Sequence, residues 1–236
     1  MKRKLLLICG ILSSILYVAM NIFVPMRYEG YNSASQTVSE LSAIGAPTRT
    51  LWVLLGIIYN LLLVAFGWGI WKSLPRNPYL KLMGVSMILY AVIGLFWPPM
   101  HQREVLATGG GTLTDTLHII FTLVTVPLML LAIGFGAASF GKRFRLYSIV
   151  TIVVLIMFGI LTGLDSPRME TGLPTPWIGV WERITIGAFM LWIVILAINL
   201  LRQEKKEDLL TATTKNRFKE KMKANVQQHS KMKQLV

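Results

Sequence analysis

The chain has 236 residues, of which 54% are hydrophobic and 15% charged, and its mean hydropathy is +0.58. A soluble domain of this length carries roughly 25% charged residues, so a water-soluble core is excluded and the apolar surface must face lipid. The net charge of +13 does not point to nucleic acid, because the basic residues lie in short segments beside apolar runs, where they set topology and meet anionic headgroups.

Six apolar runs approach the roughly 20 residues that a helix needs to cross the hydrocarbon core. They cover 5–25, 51–71, 80–97, 113–140, 146–164 and 178–201. The expected fold is all-α, a six-helix transmembrane bundle over 1–201 followed by a basic tail over 202–236. The first run follows Lys2, Arg3 and Lys4 and continues to about Val24. That is longer than the core of a signal peptide, and no small-residue cleavage site follows it. Ile8 precedes the single cysteine, Cys9, where a lipidated cysteine would follow a small residue. The run therefore reads as an uncleaved first span, and one cysteine permits no internal disulfide.

The connection after the first span, 26–50, contains a predicted helical segment at 34–44. Val38, Leu41 and Ile44 form one apolar stripe, and Gly45 and Pro47 end it. Such a segment lies on the membrane surface or caps the bundle. The second span carries Asn60, the best mid-membrane polar contact. The fourth is long and holds Pro127, which predicts a kink. Asp165-Ser166-Pro167 predicts a turn closing the fifth span, and Trp177 and Trp181 mark the interface where the sixth begins. The tail has ten Lys/Arg against four Asp/Glu, a net of +6. It reads as partly disordered and solvated, with a basic helix at 217–224 suited to anionic inner-leaflet lipids or a protein partner.

The connections alternate in charge. The N-terminus (Lys2, Arg3, Lys4), the second connection (Lys72, Arg76, Lys81) and the fourth (Lys142, Arg143, Arg145) are basic and carry no acid. The first, third and fifth balance Arg27 and Arg49 with Glu29 and Glu40, Arg103 with Glu104 and Asp115, and Arg168 with Asp165 and Glu170. By the positive-inside rule both termini are cytoplasmic and the balanced loops face outward, as in a multi-pass cell-membrane protein.

The candidate functional residues gather at the outward ends. Asp115 and His118 lie three apart at the start of the fourth span and share a helical face. A carboxylate beside an imidazole fixes its tautomer and raises its basicity, which suits a general base. It would equally cap the helix with Thr112 or Thr114. Glu182 and Arg183 open the sixth span, where a charge needs a protein or water partner. Glu182 is a candidate acid or base and Arg183 an anchor for a phosphate or carboxylate. The alternative is a structural ion pair. Ser39 and Glu40 lie on the segment over the bundle mouth, and Asp165 closes the fifth span, so these join Arg183 as candidate binding residues. His101 could enter a metal site or sit in a wet loop. No spacing demands a metal, haem would need histidines on several spans, and no cofactor is identified.

Four motifs occur in order: Ser39-Glu40-Leu41-Ser42-Ala43-Ile44-Gly45-Ala46-Pro47, then Trp97-Pro98-Pro99, then His118 early in its span, then Gly179-Val180-Trp181-Glu182-Arg183-Ile184. Together they resemble the bacterial and archaeal multi-pass family catalogued as domain of unknown function 998, over residues 5–201. The family carries an acidic residue after its Phe-Pro turn, where this chain has Pro99-Met100-His101. The first motif is also distantly similar to six-span eukaryotic lipid-pathway proteins of the Frag1 and DRAM type. The resemblance implies that Ser39, Glu40, His118, Glu182 and Arg183 form one outer-face constellation, but it supplies no reaction. Three readings stay open: an outward polar pocket for a lipid headgroup or small solute, catalytic or not; a scaffold or sensor whose charges only pair helices; and a transporter.

Overall fold

The computed structural model describes residues 2–73 and 77–233, and of 2, 211–212 and 214–233 it describes the backbone alone. The described residues are helical throughout their regular structure: α1 (Lys2–Phe23), α2 (Arg49–Trp71), α3 (Pro78–Leu95), α4 (Arg103–Ala107), α5 (Leu113–Ser139), α6 (Lys142–Glu170) and α7 (Ile178–Lys233), with two short 3-10 turns at Pro25–Arg27 and Val38–Ser42. Six of these helices are long and apolar enough to cross a membrane: Arg3–Arg27, Arg49–Trp71, Pro78–Leu95, Leu113–Ser139, Lys142–Glu170 and Ile178–Leu210. The multi-pass helical architecture read from the apolar runs is therefore the architecture of the chain. Large apolar side chains such as Leu61, Leu123, Ile149 and Val153 lie on the outside. Only a lipid solvent makes that arrangement favourable.

The chain divides into two compact units, 1–197 and 198–236. In the first, α1 packs on α2, α2 on α3, α3 on α5, and α5 on α6. Without a hydrophobic drive between helices in lipid, close approach rests on small residues and interhelical hydrogen bonds. Gly84 meets α2 so closely that a Cβ there would lie 2.8 Å from the Gly67 carbonyl oxygen. Ser14 donates to the Met190 carbonyl at 3.1 Å, and the Trp192 indole donates to Ser148 at 3.0 Å. In the second unit the backbone is helical up to Lys233. The expected basic face at 217–224 falls on side chains outside the described residues, as does Arg76 of the second connection.

Two local readings are corrected. The segment at 34–44 is not one helix: it holds a five-residue 3-10 turn, Val38–Ser42. Thr37 is extended and boxes the turn with Glu40 at its start, and Ala43 is extended at its end. Ile44 then gives its N–H to the Met100 carbonyl at 2.8 Å, a bond that a continuing helix would forbid. The apolar stripe is nonetheless used, since Val38 and Leu41 are buried with Met20, Val24 and Trp52. The fifth span does not stop at Asp165. α6 runs through Pro167 to Glu170, because proline fixes a helix-compatible φ and forfeits one bond near the end. Met169, buried with Ala43, Ala46, Met100 and Ile178, anchors the last turn.

Candidate functional site

The candidate residues meet at the far end of the bundle, where α1, α3 and α6 finish and α2, α5 and α7 begin. The organising element is the segment 28–47, which crosses this end and is held from several sides.

Glu40 is buried at 2% exposure. The Arg103 guanidinium, from α4, grips it with two parallel bonds, Nε to Oε1 at 2.7 Å and Nη2 to Oε2 at 2.9 Å. The Thr37 N–H and hydroxyl donate to the same carboxylate at 2.7 and 3.1 Å. Arg103 also donates to the Ser35 carbonyl and to Thr175. Its hydrogen bond to Glu40 holds the guanidinium above its ordinary pKa, against burial. A buried carboxylate this fully bonded is a structural clamp.

Arg183 is a second clamp. Its Nη1 donates to the carbonyls of Ser33 at 2.8 Å, Gln36 at 3.0 Å and Gly179 at 3.0 Å, and its Nη2 donates to the Tyr31 hydroxyl at 2.6 Å. The Tyr31 hydroxyl in turn donates to the Thr37 carbonyl at 2.7 Å. Burial pushes the Tyr31 hydroxyl up to about 12, with Arg183 opposing the shift. Arg183 Nε is buried with no hydrogen-bond partner among the described residues. Glu182, half-buried beside it, accepts the Val38 N–H on Oε2.

The next residue, Ser39, faces α5. Its Oγ lies 3.1 Å from His118 Nε2, and His118 Nδ1 lies 2.8 Å from the Pro98 carbonyl oxygen. A carbonyl accepts only, so this contact is a hydrogen bond when Nδ1 carries the proton, the tautomer that leaves the Nε2 lone pair toward the Ser39 hydroxyl. The Trp97 indole N–H points at the same Nδ1 from 3.1 Å. It is satisfied there only in the opposite tautomer, and the shorter contact favours Nδ1–H. Trp97 lies edge-on to the imidazole at 5.3 Å between ring centres, and Phe121 lies edge-on to Trp97. Ser39 is half-buried and His118 is buried at 8% exposure. Thus one dipeptide, Val38-Ser39, is held on one side by a carboxylate of α7 and on the other by an imidazole of α5.

Asp115 does not reach His118. It caps α5 by accepting the Thr112 N–H at 2.8 Å, and it binds His101 twice, through the backbone N–H at 2.7 Å and Nδ1 at 2.8 Å. The i, i+3 spacing places Asp115 and His118 on one face, but the cap geometry turns the carboxylate back along the helix axis. Asp165 sits half-buried on α6, and among the described residues no hydrogen bond or ion pair joins it to the others.

A family model described as "Protein of unknown function (DUF998)" matches residues 11–199. The chain belongs to this family. No curated protein and no solved structure matches it. In this DUF998 chain the four motifs behind the resemblance converge on one end. Ser39 meets His118, Pro98 holds the His118 ring, and Gly179 gives its N–H to the Ala34 carbonyl at 2.9 Å. Gly179 is needed there, since a Cβ would collide with the carbonyls of Gln36 and Ser33. Sequence reasoning missed Arg103 and Tyr31 as partners and treated Arg103 only as a charge balancing its loop. The sequence carried no signal for Arg103, because Glu40 lies off the Val38, Leu41 and Ile44 stripe and its burial at 2% exposure appears only in the fold.

Proposed function

We propose that this membrane protein takes the headgroup of a lipid, or a small polar solute entering at the same end, at the site where Ser39 lies between His118 and Glu182. By the charge alternation of the connections, that end faces outward. The observation that carries the reading is the Ser39 Oγ to His118 Nε2 contact at 3.1 Å. It is a neutral, polarisable pair at a half-buried serine, unlike the closed ion pairs around it. Arg183 Nε supplies a further polar atom without a hydrogen-bond partner among the described residues, and a headgroup carries acceptors to match.

The test is lipid retention. Wild-type, His118→Ala and Glu182→Ala chains are extracted into mild detergent from nanodiscs of phosphatidylethanolamine and phosphatidylglycerol. Retained lipid is then measured by native mass spectrometry. Retention that falls at least tenfold in both variants, at unchanged membrane insertion, supports the reading. Equal retention in all three refutes it. A second reading, a scaffold whose polar groups only fix the loop, is favoured by the closed Glu40–Arg103 pair. It expects the same variants to lose thermal stability and no lipid.

A further inference from the structure

Around Ser39 the structure has three features in combination. The hydroxyl is half-buried, hydrogen-bonded to an imidazole nitrogen that can accept its proton, and fixed by a backbone bond at the residue before it. The other imidazole nitrogen is oriented by a carbonyl. Nucleophile, base and orienting group in sequence is the arrangement by which an alcohol is made reactive toward an acyl carbon. The Pro98 carbonyl satisfies a buried ring nitrogen and, by holding its proton there, leaves Nε2 as the acceptor that faces Ser39.

We propose that Ser39 is an acyl-accepting nucleophile activated by His118, and that its substrate class is the carboxylic ester of a glycerolipid. This rests on the headgroup reading above and names its chemistry. Ester linkages of glycerolipids lie between the hydrocarbon core and the headgroups. His118 stands five residues into α5, roughly 7–8 Å along the axis from the helix start, beside the interfacial indole of Trp97. With the start of α5 at the outer edge of the interfacial zone, which extends about 5–8 Å beyond each edge of the hydrocarbon, His118 comes to the level of the esters.

The step balances without an oxidant or metal. Ser39 Oγ bonds to the ester carbonyl carbon as its proton moves to His118 Nε2. The carbon–oxygen bond to the glycerol then breaks, and the departing oxygen takes the proton from Nε2. This leaves an acyl-serine and a free hydroxyl on the lipid. Water, or the hydroxyl of a second lipid, gives its proton to Nε2 and attacks the acyl carbon, which returns the Ser39 hydroxyl. The Pro98 carbonyl holds Nδ1–H and stabilises the transient imidazolium. It is a dipole where faster esterases place a carboxylate, so turnover is slow.

The test uses the full-length chain in nanodiscs of phosphatidylethanolamine and phosphatidylglycerol, treated with a fluorophosphonate that phosphorylates activated serine hydroxyls, followed by intact mass and peptide mapping. One adduct, on Ser39, is expected. It is absent in Ser39→Ala and forms at least about 100-fold more slowly in His118→Gln, the scale of lost general-base assistance. His118→Gln keeps a polar group toward Ser39, and its melting temperature reports whether it folds. Ser166 is exposed on α6 and its hydroxyl donates to the Thr162 carbonyl, so Ser166→Ala should label as wild type. No adduct on Ser39 in a folded wild-type chain overturns the proposal, as does equal labelling in His118→Gln. Retention of phosphatidylglycerol measured on the same samples separates the two readings. If labelling fails while Ser39→Ala still loses lipid, only the nucleophile falls. If both fail, the binding reading falls with it.

Discussion

Arg103 closes on both carboxylate oxygens of Glu40 across 63 residues of sequence, and this pair fixes the loop that presents Ser39. The Glu40 side chain is 3% exposed and that of Arg103 22%. Removing one partner leaves a buried charge unpaired, which costs about 3–5 kcal/mol. Arg103→Ala should therefore lower the melting temperature in detergent sharply. Glu40→Gln added to Arg103→Ala should recover part of the loss, because the orphaned charge goes. If the double variant melts below the single, the cost comes from lost packing rather than the unpaired carboxylate. Arg103→Lys should rescue poorly, since an ammonium cannot make the two-pronged contact.

Tyr31 predicts a pH dependence of stability. Its hydroxyl is raised to about 12 in the folded chain, chiefly by burial, whereas an unfolded tyrosine titrates near ~10. Below pH ~10 both states hold the proton and stability is flat. Between ~10 and ~12 the unfolded state loses the proton first, so the folded state binds more protons and stability falls as pH rises. Tyr31→Phe should flatten this part of the curve relative to wild type in chemical denaturation at alkaline pH. It should also lower stability at neutral pH, because the Arg183 Nη2 and Thr37 carbonyl bonds are lost. Identical alkaline slopes in the two chains would remove Tyr31 as the titrating group.

The spans were legible because bilayer thickness imposes a length on any apolar run, and composition alone reports it. The convergence of Ser39, Glu40, His118, Glu182 and Arg183 on one end was legible because charges inside lipid must sit near the ends and find one another. Pairing was not. Asp115 read as the partner of His118 from helical spacing, but a carboxylate at the third helical position reaches back to the free N–H of the cap residue, here Thr112. What remained of its hydrogen bonding fell to His101, whose position depends on the Trp97-Pro98-Pro99 turn. The helix at 34–44 failed for a related reason. The apolar stripe reports burial, but the backbone was decided at Thr37, which is bonded to Glu40 and Tyr31, and at Ala43, which packs on Met100, Met169 and Ile178.

Helix packing gives a contrasting pair of variants. A Cβ at Gly84 would lie 2.8 Å from both the Gly67 carbonyl oxygen and the Trp71 nitrogen, whereas a Cβ at Gly56 meets nothing within 4 Å. Both sites are mid-helix, where alanine is favoured over glycine by about 1 kcal/mol. Gly56→Ala should therefore raise the melting temperature slightly. Gly84→Ala should lower it, since backbone atoms cannot give way and forced overpacking costs typically about 1–3 kcal/mol. Equal shifts for the two would mean that α2 and α3 do not cross at Gly67 and Gly84.

Orientation decides which solution bathes Ser39 and His118, and a single cysteine makes it measurable. Cys9 is the chain's one cysteine, so Cys9→Ser gives a background free of thiols. Thr108 lies exposed beside α4 at the far end, and Lys142 lies exposed at the start of α6, in the basic segment that follows α5. Thr108→Cys and Lys142→Cys are each placed in that background and treated in intact cells with a membrane-impermeant maleimide. The charge alternation expects labelling of the Thr108→Cys variant alone, with the Lys142→Cys variant reacting only after the membrane is opened. The reverse pattern would put the Ser39 site on the cytoplasmic face. Any lipid it handles would then come from the inner leaflet, and the basic connections would have lost their usual side.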